Sequence, residues 1–277
     1  TGTLKIKDAQ LSKDTTLAYL VIFYIDGDKA NNDIGSNSTN FKTSIEATVT
    51  QGKLPFATQI TNLYNDAIKT PVTNNSITYQ YDTTNSLMKD IGNNIRYYGA
   101  SPNNYIYFNC SDYSNQSSTT CELWRIIGTF GDKIKIVRNE SIGKYSWDNK
   151  TTSTGAETNA GKNDWTEGRL MKLLNPGYES ETTGGSLYYN SGSGNCYVGQ
   201  NNATKACDFT STGIKNDKTR GLISEETYSL LGWSTSSVYA NEIYEYERST
   251  GKVHSDRPTT WTGKIACFGS VILSHIT

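Results

Sequence analysis

Glu122-Leu123-Trp124-Arg125-Ile126-Ile127-Gly128-Thr129-Phe130-Gly131-Asp132-Lys133-Ile134-Lys135-Ile136-Val137-Arg138 is the stretch that decides the fold. Two runs rich in β-branched and aromatic side chains, Leu123 to Ile127 and Lys133 to Val137, flank a segment with two glycines and an aspartate. This pattern predicts two strands closed into a hairpin. Neighbouring residues on a strand face opposite ways, so Trp124 is expected in a core and Arg125 on the other face. There Arg125 would seek a carboxylate, with Glu122, Glu140 and Asp148 as the open candidates. Tyr105 to Phe108 reads as a further strand.

Downstream, Asp164 stands three residues before Glu167, and Leu170, Met171, Leu173 and Leu174 follow. The spacing predicts a capping box opening a short helix that ends at Asn175-Pro176-Gly177. A second helix is expected after Ser224, with Glu225 and Glu226 at its positive end, running through Tyr228 to Leu231. Upstream, strands are expected at Thr3 to Ile6, Leu17 to Ile25 and Phe41 to Val49. Ile60, Leu63, Tyr64, Ala67 and Ile68 repeat as one face of a helix that Pro71 stops. Asn74 to Asn85 is polar and reads as a joint. The expected organisation is a β-rich module over residues 1–73, a linker over 74–86 and a mixed α+β domain over 87–277. Three short strands cannot bury their apolar faces alone, so the first module is expected to be an antiparallel sandwich completed by its own strands or by strand addition from another chain.

The 277 residues suffice for two domains with real cores. The formal net charge of −1 gives no basic field to attract nucleic acid or anionic lipid. Only 19% of residues are charged, so the polarity comes from Asn, Thr, Ser, Gln and Gly, a composition frequent in β-rich extracellular domains. Nineteen tyrosines and five tryptophans favour rigid aromatic packing over disorder. The longest apolar stretch near the start, Leu17 to Ile25, is too short to cross a bilayer. No basic region followed by an apolar stretch opens the chain, so any export signal is expected to have been removed already.

Cys110 and Cys121 are eleven positions apart, and so are Cys196 and Cys207. Each pair is expected to staple a short loop, in preference to a metal site, which would want closer spacing or nearby imidazoles. Cys267 is left over, either as a small buried hydrophobe or as an intermolecular bridge. Asp26, Asp28 and Asp33, with Asn31 and Asn32, crowd oxygens into one turn as a weak cation site would, although the spacing fails the EF-hand pattern. Trp147 and Trp165 flank a Gly- and Thr-rich loop. They are expected to close over the following helix, the alternative being an exposed shelf for a sugar or peptide. Cys267 with His254 or His275 makes a poor thiol–imidazole pair, and no catalytic set, resident metal or cofactor is expected. Lys5 and Lys42 would be candidates for isopeptide bonds if buried beside an amide and an acid.

The combination of Asn104-Tyr105-Ile106-Tyr107-Phe108, Leu123-Trp124-Arg125-Ile126-Ile127-Gly128 and Ile134-Lys135-Ile136-Val137-Arg138 with Glu140-Ser141-Ile142-Gly143-Lys144-Tyr145-Ser146-Trp147-Asp148 resembles uncharacterised surface proteins common in Firmicutes. The likeness continues through Leu174-Asn175-Pro176-Gly177-Tyr178 and Cys207-Asp208-Phe209-Thr210 to Trp261-Thr262-Gly263-Lys264-Ile265, covering about residues 95–265. The order of elements is similar, more distantly, to C-type-lectin-like folds. Tyr24-Ile25-Asp26-Gly27-Asp28 with the Phe41 strand resembles TasA-like or pilin-like modules of the same bacteria. Relatives continue past the Trp-x-Gly-Lys-Ile segment, so the terminal sheet of the last domain is expected to be missing, altered or supplied by a neighbouring subunit. The resemblance implies a non-enzymatic extracellular or cell-surface protein acting in adhesion or in filament assembly through an edge strand. Its partners would be a second copy or a host or cell-wall glycan or protein. A carbohydrate-binding module and an extracellular hydrolase with scattered catalytic residues are the alternatives.

Overall fold

In the computed structural model the described residues are 54–74, 76–149, 164–199, 203–230, 260–266 and 271–273. The chain divides between Gln51 and Gly52 into two units, and all of the described residues belong to the second. The three upstream strand readings, Asp26, Asp28 and Asp33, Lys5 and Lys42, and His254, Cys267 and His275 lie outside the described residues.

The second unit is mixed α+β. In chain order its elements are α1 (Phe56–Asp66), β1 (Thr70–Asn74), β2 (Ile77–Asp82), β3 (Leu87–Lys89), β4 (Ile95–Tyr97), β5 (Tyr105–Phe108), β6 (Glu122–Phe130) and β7 (Lys133–Arg138). There follow α2 (Arg169–Leu174), β8 (Ser193–Tyr197), β9 (Thr204–Asp208), α3 (Asp217–Leu222), β10 (Glu226–Ser229), β11 (Thr260–Gly263) and β12 (Val271–Leu273). Among these, eight strands form one antiparallel sheet in the order β1-β2-β3-β4-β6-β7-β12, and β5 also pairs with β6. The expected β6–β7 hairpin is its centre, turning through Gly131, whose φ is +64°. β6 pairs with β4 near Gly128 and with β5 near Leu123, so two short strands share one of its edges. Gly128 is required there: a Cβ would lie 2.4 Å from the Ile95 carbonyl oxygen, so β4 could not approach.

Alternation along β6 buries Trp124 and Ile126 on one face, opposite Ile106, Ile136 and Val271 in register. Met171, Leu173, Leu174, Ile214 and Ile223 join the same core, which also takes Ala57, Ile60 and Tyr64 from α1. α1 therefore belongs with the second unit rather than with a module over 1–73. The expected linker over 74–86 is not a joint either. Ile77, Tyr79 and Tyr81 alternate with Thr78 and Gln80, and β2 pairs with β1 and β3. Polar threonines and amides on its exposed side masked a strand pattern carried by tyrosine.

Two helix readings change. α2 forms as expected, but its N-cap is Gly168, four residues after Asp164. Asp164 instead folds back on Thr166, accepting from its backbone N–H and its hydroxyl. A side chain at 168 would be crowded, since a Cβ would lie 3.1 and 3.2 Å from the carbonyl oxygens of Asp164 and Trp147. The helix expected after Ser224 is instead β10, paired with β11. Within β10 Tyr228 alone is buried, and Leu230 two places on is buried as well, the period of a pleat. The helix lies just before it, as α3, where Asn216 accepts the Thr219 N–H as N-cap.

Asp90 closes the β3–β4 turn, accepting from the N–H groups of Gly92 and Asn94 and from Arg96 Nε. Burial pushes its carboxyl up, but the hydrogen bonds from Arg96 and Asn94 outweigh this and hold it below the usual range. A depressed folded-state pKa gives stability that is complete above the unfolded value near about 3.9 and is lost as pH falls through the folded value. Urea unfolding between about pH 6 and pH 2.5 should therefore show a steeper acid loss for the wild type than for Asp90→Asn.

Candidate ligand-binding surface

The β5–β6 connection is held at several points. A disulfide joins Cys110 to Cys121, as the spacing predicts. Asn109 lies before it at φ +51°, with its Nδ2 donating to Gly213 O and its Oδ1 accepting from Lys215 N, both at 2.8 Å. Asn216 Nδ2 donates to Cys110 O, and the Tyr113 and Thr219 hydroxyls are 2.9 Å apart. Beneath, Phe108 meets Trp124 edge-on with ring centroids 5.2 Å apart. One covalent bond, a buried amide and an aromatic pair thus fix the hairpin to the segment leading into α3.

The other face of this hairpin is open. Tyr105 lies opposite Arg125 and Tyr107 opposite Leu123, so the four side chains share one side of the pleat. Tyr105, Tyr107 and Leu123 are 46%, 38% and 38% exposed, among the largest exposed apolar groups described. Arg125 does not find the expected carboxylate. Its Nε donates to Asn104 Oδ1 at 3.1 Å, and its guanidinium carbon lies 5.2 Å from the Tyr105 ring centre. Glu122 is on the core side, where Arg138 Nε holds it at 2.9 Å. Strand parity explains this: Glu122 and Arg125 differ by three positions and so face opposite ways. Tyr105 also stands at the lip of a cleft of about 300 Å³ between α1 and the strands, with Phe56, Leu63, Tyr97, Gln59 and Asn103 in its walls.

The expected second staple is open: Cys196 and Cys207 are thiols. In the β8–β9 register Cys196 faces Lys205 and Cys207 faces Gly194, so the cysteines are diagonal neighbours on one face. The two side chains nevertheless touch, the Cys196 and Cys207 thiols lying within hydrogen-bond reach of each other. Burial, and then contact with Cys207, pushes the Cys196 thiol well up, which makes it a poor nucleophile.

Trp147 and Trp165 form no exposed shelf. Trp165 is 3% exposed, its ring centre 5.2 Å from that of Trp147 and 5.9 Å from that of Trp261. Their faces are used by one another above α2, the arrangement expected first from sequence. Neither indole N–H has a hydrogen-bond partner. An orphaned donor costs about 1–3 kcal/mol, whereas burying an indole of about 200 Å² is worth about 5 kcal/mol, so burial wins. Among the described residues no three His, Cys, Asp or Glu side chains gather as metal ligands, and no helix is long and apolar enough to cross a membrane.

The exposed tyrosines were missed because Tyr105-Ile106-Tyr107-Phe108 is apolar on both sides of its pleat. That double-sided pattern was the available signal: one side fills the core and the other must face something else. No family model, curated protein or solved structure matches the chain.

Proposed function

We propose that this is a non-enzymatic bacterial cell-surface protein whose second unit binds a partner in adhesion, through the open face of β5 and β6. The observation that carries the reading is the ledge of Tyr105, Tyr107 and Leu123, exposed on a hairpin that Cys110–Cys121 locks. A rigid hairpin loses little freedom on binding, so its few contacts count in full. A disulfide across a short loop suits an oxidising compartment. The resemblance to Firmicutes surface proteins and the wider likeness to lectin-type folds agree with this reading. The carbohydrate-binding alternative is favoured in its chemistry, with its site moved from the tryptophans to the tyrosine ledge. Filament assembly through an edge strand of the first unit is the second role implied by the TasA-like resemblance.

The test is attachment of cells displaying the chain to their natural surface. Tyr105→Ser with Tyr107→Ser should abolish attachment while leaving the thermal midpoint nearly unchanged, because both rings lie outside the core. Equal attachment by the double variant and the wild type would overturn the proposal.

A further inference from the structure

We infer that the ligand read by this face is an acidic glycan, one whose sugar rings carry carboxylates. The inference rests on the binding role proposed for the ledge and adds the class of molecule bound.

Three features point to it. The first is charge. Arg125 uses Nε on Asn104, and no carboxylate among the described residues meets its two terminal nitrogens. The other arginines of the sheet are committed elsewhere, Arg96 to Asp90 and Arg138 to Glu122, as is Lys133 to Glu226, while Lys89 and Lys135 lie over the rings of Tyr64 and Tyr228. A single unpaired planar fork matches a planar, singly charged carboxylate held by two parallel N–H donors. A polyphosphate chain would call for several cations.

The second feature is shape. Tyr105 and Tyr107 lie two residues apart on one side of β5, about 6.8 Å along the strand, and both keep exposed surface against which successive sugars can pack. The guanidinium lies over Tyr105, so the anion and the first ring are read from one place. The third feature is the cleft next to Tyr105. Its volume of about 300 Å³ is at the small end of ligand pockets, and its walls mix Phe56 and Leu63 with the amides of Gln59 and Asn103. Amides offer a donor and an acceptor together, as sugar hydroxyls require. A protein partner is disfavoured by extent: a stable interface needs about 800 Å² on each side with an apolar centre, and three side chains exposed by less than half do not supply it.

The test measures binding of the full chain to oligogalacturonate and to the same oligosaccharide fully methyl-esterified, which keeps the rings and removes the charge. The wild type should bind the acid about ten- to hundredfold more tightly than the ester, the range expected for a charge-assisted pair. Arg125→Gln should erase that difference, and Arg125→Lys should restore part of it; unchanged thermal midpoints would establish that both variants fold. Equal binding of acid and ester by the wild type, or preference for the acid retained in Arg125→Gln, would overturn the inference. So would binding of polyglycerol phosphate in place of the uronate. If no uronate binds and the tyrosine double variant still abolishes attachment, the ligand class falls and the adhesion reading stands. If attachment is also indifferent to the tyrosines, both fall.

Discussion

Trp124→Ala is expected to lower the unfolding free energy by about 3–5 kcal/mol, the cost of truncating a large buried aromatic. Trp124 is 1% exposed, lies edge-on to Phe108 and donates from Nε1 to Glu122 Oε2 at 3.2 Å. Its removal opens a cavity under the strand that carries the proposed ligand face and takes one partner from Glu122, which Arg138 alone would then hold. Since ordinary domains have about 5–15 kcal/mol in total, roughly a fifth or more of the stability would go with one side chain. Leu123→Ala, one position away on the open face, should cost no more than about 0.5 kcal/mol. Urea unfolding of the two variants checks the difference; equal losses would mean that the faces of β6 are assigned the wrong way round.

Cys110→Ser with Cys121→Ser should cost about 3 kcal/mol, the chain-entropy value for a loop of this length. The effect would be local as well as global. Without the bond, Asn109 and Asn216 must hold residues 109–121 by hydrogen bonds alone, so backbone amides there should exchange faster than those of β6 and β7. Ligand affinity should fall too, because the freed hairpin must be ordered on binding. Strong reductant should reproduce the loss in the wild type, and that loss should be missing in the double variant, since Cys110–Cys121 is the disulfide among the described residues.

The central hairpin was legible because its two strands carry β-branched residues at the right period and a turn with glycine at positive φ. The first disulfide was legible because its cysteines end adjacent paired strands. The second was not: spacing shows how many residues separate two cysteines but not the register in which their strands meet, and in β8–β9 that register offsets them diagonally. The helix read into Glu225 to Leu231 failed because acidic residues at a supposed start say nothing of the strand, β11, that waits more than thirty residues later. α3 was there to be found in Asn216-Asp217, a cap followed by an acidic first turn. The proposed ligand face was the hardest part. Exposure of Tyr105 and Tyr107 depends on nothing packing over that side of β5, a long-range fact that no local period encodes.

Work outside the cell, on a face held by one covalent clamp, is the claim to test first. The direct measurement is alkylation of the protein in its producing cells before any lysis, followed by peptide mapping without reduction. The expected result is a linked peptide pair containing Cys110 and Cys121 with neither residue alkylated. Full alkylation of both cysteines would show a reduced hairpin and contradict the claim.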